Sequence, residues 1–266
     1  MAQFLRDEKI ENITIDKDAL EQLHQVFASR ISSIPELSST AGTKQESFLT
    51  YIIRFDNKGY RIFNLEDLIT RFISAKSIER IIFTLETEDA IKNGRHLGTF
   101  MELRIDRKDP GNCYITASSD SSDWVDASYS SAVDTVKKFK NRNHLAKSSW
   151  SELVIQIFGT LLGFFVAVLG ASKISPSLNI ENAFLISFLL VLFLYSNTWA
   201  LLNARLHALV DYAFPNIKFI RPNKDELHWI IQTLVGGIFV AVTLYLLSAV
   251  FAYLGQILGS FIAVGT

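Results

Sequence analysis

WSELVIQIFGTLLGFFVAVLGAS, residues Trp150–Ser172, decides the architecture. Beyond Glu152 it holds no ionisable side chain. It reaches the length of about 20 residues that a helix needs to cross a hydrocarbon core ~30 Å thick. Two further runs of this kind stand at about 183–202 and 229–254. Lipid offers no partner to a backbone N–H or C=O, so each run is expected to be helical. No proline falls inside a run; Pro176 and Pro215 lie between them. The expected membrane part, 148–266, is therefore an all-α bundle of three transmembrane helices, with a loop at 203–228.

The flanking charges give an orientation. Lys137, Lys138, Lys140, Arg142 and Lys147 precede the first run, and Arg205, Lys218, Arg221 and Lys224 lie between the second and third. The short 173–182 loop has only Lys173 beside Glu181. The positive-inside rule then predicts a bacterial inner-membrane, multi-pass protein, with the N-terminus and the 203–228 loop cytoplasmic and the C-terminus outside. Trp150, Trp199 and Trp229 fall near the same expected boundary, as an aromatic belt would.

Within the runs the informative residues are small or uncharged. Gly159 and Gly163, and Ser248, Ala252, Gly255 and Gly259, recur at a spacing that lets helix backbones approach closely. Such stripes serve packing within one chain or association between copies; a bundle of three spans is thin, which favours a homo-oligomer. Gln156, Gln232, Thr233, Ser248 and Gln256 could line a narrow pore or hydrogen-bond between helices. Ionisable groups deep in a span mark proton relays, ion-coupled transporters and voltage sensors, and none is present there.

Residues 1–147 carry 21 Lys+Arg and 22 Asp+Glu against five of each in 148–266, so this half is expected to be a cytosolic domain. The charge balance exerts no general pull toward nucleic acid. The lone Cys113 excludes an internal disulfide, and the opening MAQFLRDEKI lacks the apolar core of a signal peptide.

Apolar spacing predicts an amphipathic helix over Ile15–Ile31 and a loop over 32–46. SFLTYIIRF and YRIF read as a hairpin turned by Asn57-Lys58-Gly59. A helix follows, capped by Asn64, with Asp67 three positions on. Strands are expected over Ser77–Glu86, Thr99–Asp106 and Asn112–Ser118, then a helix capped by Ser122. The order α-ββ-α-βββ-α is an α+β domain with a mainly antiparallel sheet.

Strand parity turns Tyr51, Ile53, Ile81, Phe83, Met101 and Leu103 to one face, toward the helices. It turns Arg54, Arg61, Arg80, Arg104 and Tyr114 to the other. Arginines grouped with an aromatic suit an anionic ligand or a subunit contact; the plainer reading is a solvated face salt-bridged through Glu86 and Glu102.

Catalytic signatures are missing: there is no phosphate-binding glycine loop, no nucleophile elbow and no HExxH. No metal or cofactor site is expected; Glu86, Glu88 and Asp89 read as a solvated turn. Asp120, Asp123 and Asp126 read as partners of a helix N-terminus.

A cytosolic domain without a catalytic set, joined by a short linker to a membrane bundle rich in small residues, reads as sensor plus actuator. This layout resembles bacterial antiphage-defence effectors and, among them, is similar to the channel effectors of Hailong-type systems. The likeness covers the arrangement of the whole chain and carries over no residue. It implies a ligand-gated channel that depolarises the membrane. It further implies a nucleotide- or oligonucleotide-like anionic signal and a partner enzyme that makes it. Two other readings stay open: a non-conducting anchor whose soluble domain binds a protein, and an enzyme built around Glu86–Asp89. Phe214–Phe219, which breaks the helix and then reads extended, is the expected link between the halves.

Overall fold

The computed structural model describes residues 3–34, 46–146 and 148–222 and, beyond these, scattered positions between Ile230 and Ala252. The chain divides into two units: Met1–His144 with Pro215–Glu226, and Leu145–Phe214 with Leu227–Thr266.

The first unit is α+β. Its elements are β1 (Phe4–Lys9), β2 (Ile13–Ile15), α1 (Lys17–Ile31), β3 (Ser47–Phe55), β4 (Lys58–Ile62), α2 (Leu65–Ser74), β5 (Ile78–Thr87), α3 (Glu88–Lys92), β6 (Phe100–Asp106), β7 (Tyr114–Ser119) and α4 (Ser122–Lys138). Six strands form one sheet in the order β1-β7-β6-β5-β3-β4, every neighbour antiparallel.

The expected core face is the one that is buried. Tyr51 pairs with Phe83, Ile53 with Ile81, Phe83 with Leu103 and Leu103 with Ile115. These side chains join Leu20, Leu23 and Phe27 of α1, Leu68 and Phe72 of α2, and Trp124 and Val125 of α4 in one cluster. Tyr51 sits edge-on to Phe83, ring centres 5.2 Å apart, and its hydroxyl meets Nδ1 of His24 at 2.5 Å.

Local chemistry sets the ends of the elements. Asn64 Oδ1 accepts the N–H of Asp67 at 2.8 Å, and its amide nitrogen donates back to the Asp67 carboxylate at 2.9 Å, the reciprocal cap that the spacing announces. The cap of α4 is Ser121, one residue before the expected Ser122, because its hydroxyl accepts the N–H of Trp124. The hairpin turn also lies one residue early. Asp56 and Asn57 adopt left-handed φ of 51° and 62°, so Phe55 pairs with Lys58 and Gly59 stands in the strand.

Among the described residues, three short 3-10 helices aside, four elements go beyond the expected order: β1, β2, α3 and a strand that follows the second apolar helix. The second unit contains α5 (Ser149–Ile174) and α6 (Ala183–Ala213), both long and apolar enough to cross a membrane. The expectation was three such helices; two are present among the described residues. Most of the run at 229–254 lies outside them, although its described positions are helical. The tail after Ala252 and most of the 32–46 loop also lie outside.

The helix α6 passes well beyond the expected end near 202, through Arg205, His207 and Asp211. It stops where Pro215 cannot continue it. The chain then enters the first unit as β8 (Ile217–Phe219), parallel to β2: Ile13 faces Ile217, and Ile15 faces Phe219.

Candidate functional site

The sheet face away from α1 and α4 carries the candidate arginines, and cross-strand pairing gives their order. Arg61 stands beside Ile52, Ile52 beside Ile82, and Ile82 beside Arg104; Arg54 stands beside Arg80 and Arg104 beside Tyr114. Four of the five residues have partners. Arg54 reaches Glu79 at 3.0 Å. Arg80 and Arg104 share Asp106, at 2.5 and 3.2 Å, and Tyr114 donates to Glu102 at 2.6 Å. Among the described residues Arg61 is the arginine of the set with no ion pair, and it is exposed.

The carboxylates are correspondingly stabilised in their charged form. Burial pushes the Asp106 carboxyl up, but the Asp109 N–H, Arg80 and Arg104 outweigh it and hold the group below its usual range. Lys108, the Asn57 N–H and Arg54 do the same for Glu79, the extra residue where β5 bulges opposite Arg54 and Phe55. Burial, followed by the bond to Glu102, raises the Tyr114 hydroxyl.

Sequence reasoning missed Arg95. It follows α3 in a left-handed conformation, φ 68°, and reaches back over the sheet to Glu86 at 2.5 Å and Glu102 at 2.7 Å. These are the carboxylates expected to neutralise the strand arginines. The preceding Asn93-Gly94 is a turn signal, and it was the cue available in the sequence. Arg95 and Ile91 thereby line a groove of about 390 Å³ together with Phe48 and Ile52 of β3, Ile82 of β5, and Arg61 and Phe63 at the end of the hairpin. Arg54, Arg80, Arg104 and Tyr114 are not among its walls. Glu88 is held by Lys92 at 2.5 Å, and no carboxylate, histidine or cysteine cluster able to hold a metal occurs among the described residues.

In the second unit the small residues of α5 face α6. Ile155, Gly159, Gly163, Ala167 and Ala171 are buried at a four-residue spacing. A side chain at Gly159 would strike the indole of Trp199; one at Gly163 would strike the ring of Tyr195. Tyr195 donates to the Gly159 carbonyl at 2.8 Å. The glycine stripe is thus filled within the chain, and Trp199, expected at a membrane boundary, is one of its fillers. Gln156, Thr233, Ser248 and Ala252 are exposed, and Ser248 donates to the Tyr245 carbonyl. Gln232, Gly255, Gln256 and Gly259 lie outside the described residues.

The return of the chain at β8 is firmly made. Ile13, Ile15, Ile217 and Phe219 belong to the main core cluster, and Phe219 meets Phe72 edge-on. Asn143 Nδ2 donates to the Pro215 carbonyl at 2.8 Å, tying the point where the chain leaves this unit to the point where it comes back. Arg221, buried, donates to the carbonyls of Ala75 and Lys76 between α2 and β5. The N–H groups of Lys76 and Ser77 are bound by Asp56 at the β3–β4 turn. Those N–H groups hold the Asp56 carboxyl below its ordinary value.

No protein-family model matches the chain, and neither the curated proteins nor the solved structures offer a match, so its function is argued from its own residues.

Proposed function

We propose that this protein is a membrane effector of the bacterial inner membrane in which the α+β unit senses a signal in the cytoplasm and the helical unit answers it. The helices would assemble with those of other copies into a gated ion channel. In the setting of antiphage defence, an anionic nucleotide or oligonucleotide made by a partner enzyme would be the signal, and depolarisation the outcome.

The observation that carries this reading is the return of the chain at β8. A tether needs one connection to the domain it holds. Here a segment that follows two apolar helices is built into the domain's core, and Arg221 locks it to the α2–β5 junction. Asp56 binds the same junction to the hairpin that forms one wall of the open-face groove. A ligand that favoured one arrangement of that hairpin would bias the end of α6, provided it bound the two states with different affinity. Helices α5 and α6 would cross as a pair, and the run at 229–254 would add the third span.

One observation favours a non-conducting anchor: the glycine stripe of α5 is taken by Tyr195 and Trp199 of the same chain, which removes one surface for assembly. Ion flux through liposomes holding the purified protein, with and without lysate from phage-infected cells, separates the two. Flux that changes with lysate supports the gated channel. Silence in every condition supports the anchor.

A further inference from the structure

A second groove, of about 320 Å³, lies between the chain after β1 and the C-terminal end of α4. Its apolar floor includes Ile115, Val133 and Val136. Lys9, Lys137 and Lys140 stand around it. Among the described residues no ion pair engages Lys9 or Lys140, and Lys137 has only a loose one to Asp134, at 3.8 Å. Of the two carboxylates on its walls, Glu8 is taken by the hydroxyl of Tyr129, and Glu11 is exposed. Exposed Lys138 and Arg142 add charge beside it, and from Thr135 to Ser148 the sequence has no acid.

The groove also stands where the chain passes to the helices. Lys140 bridges to Ile13 and lies nine residues before α5 begins. Asn12, on the groove wall, donates its N–H to the side chain of Asn216, the second residue after the helical unit. If α5 enters a bilayer, the nine-residue connection from Lys140 keeps that lysine within about 30 Å of the point of entry, in reach of the headgroup layer. There an anionic surface attracts basic side chains by about 1 kcal/mol each.

We propose that this groove binds the headgroup of an anionic phospholipid, its phosphate among Lys9, Lys137 and Lys140 and its glycerol–acyl junction on the apolar floor. The inference rests on the membrane reading above and adds a lipid ligand for the α+β unit.

Lys9 makes the idea testable. It lies on β1, outside the basic stretch that precedes α5, so its loss removes a charge from the groove and leaves that stretch whole. The full chain in mild detergent is titrated with dioleoyl phosphatidylglycerol or dioleoyl phosphatidylcholine, and bound lipid is counted by native mass spectrometry. The expected result is a preference of about tenfold or more for phosphatidylglycerol, weakened about fivefold by Lys9→Gln and again by Lys140→Gln. Lys58→Gln, on the β3–β4 hairpin, should leave it unchanged.

Equal binding of the two lipids overturns the proposal, and so does a Lys9→Gln protein that binds like the wild type. Displacement of phosphatidylglycerol by millimolar inorganic phosphate would make this a site for free anions and overturn the lipid assignment. A protein that stays dissolved without detergent and does not float with liposomes overturns the membrane reading and this inference together. A floating protein with no lipid preference overturns the inference alone.

Discussion

In the α+β unit Tyr51, Ile81, Phe83 and Leu103 point inward and are at most 1% exposed. In the helical unit the large apolar side chains point outward: Phe193 is 68% exposed and Leu201 73%, while Gly159, Gly163 and Ala167 fill the interior. The first arrangement suits water, which drives large apolar groups together. The second suits a lipid surround, where no hydrophobic drive would act between helices; Tyr195 and Trp199 pack into the glycine stripe and Tyr195 donates to the Gly159 carbonyl. The difference teaches where each unit draws its stability from, and mutations should divide accordingly.

The largest contrast is expected from two phenylalanines. Phe83→Ala should cost the α+β unit about 3–5 kcal/mol, measured by chemical unfolding, because it opens a cavity that packed neighbours cannot fill. Phe193→Ala on the outer face of α6 should stay within about 0.5 kcal/mol in detergent. Similar costs at both positions would break the comparison.

Arg221→Ala tests whether the returning segment belongs to the water-facing core. It removes charged donors from the carbonyls of Ala75 and Lys76, at a cost of about 2–3 kcal/mol. Amide exchange over 217–219 should rise with it. Unchanged exchange there would mean that β8 is held by other means. Gly163→Leu places a branched side chain against Tyr195 and should destabilise the α5–α6 pair by about 1–3 kcal/mol, followed by helix melting in detergent. The α+β unit should melt as before.

The smallest effect sharpens the polar side of the comparison. Asp106, Glu79 and Asp56 titrate below their unfolded values of about 4. Their stabilisation is therefore complete above those values and is lost as pH falls through the lower folded ones. Asp106→Asn should flatten this acid limb of the unfolding curve; an unaltered limb would show that the Arg80–Asp106–Arg104 cluster contributes little. Burial lowers the His24 titration, so its contribution is present above about pH 6.5 and fades on acidification.

Much of this division is legible in the sequence. The alternation in SFLTYIIRF assigns the core face of β3, and the four-residue spacing of Gly159, Gly163 and Ala167 marks the interior of α5. What was not legible lacks a local signal. The edge strand FLRDEK is exposed throughout and is ordered by pairing with β7, and ITI is too short for a period to show. Its partner β8 lies some two hundred residues away in sequence. The charge pattern named the carboxylates of the open face but not their partner. Arg95 arrives from a loop, and no strand parity reports where a loop folds.

The central claim is that α5 and α6 cross a bilayer while the α+β unit and the returning β8 stay on one side of it. It is tested most directly by labelling with a membrane-impermeant maleimide in intact cells and after permeabilisation. Cys113 is buried, and burial raises its thiol, so the folded protein offers no strong background. Asn179→Cys, in the exposed turn between α5 and α6, should label in intact cells. Lys58→Cys, on the β3–β4 hairpin, should label only after permeabilisation. Labelling of both positions in intact cells, or of neither until the cells are permeabilised, would contradict the account.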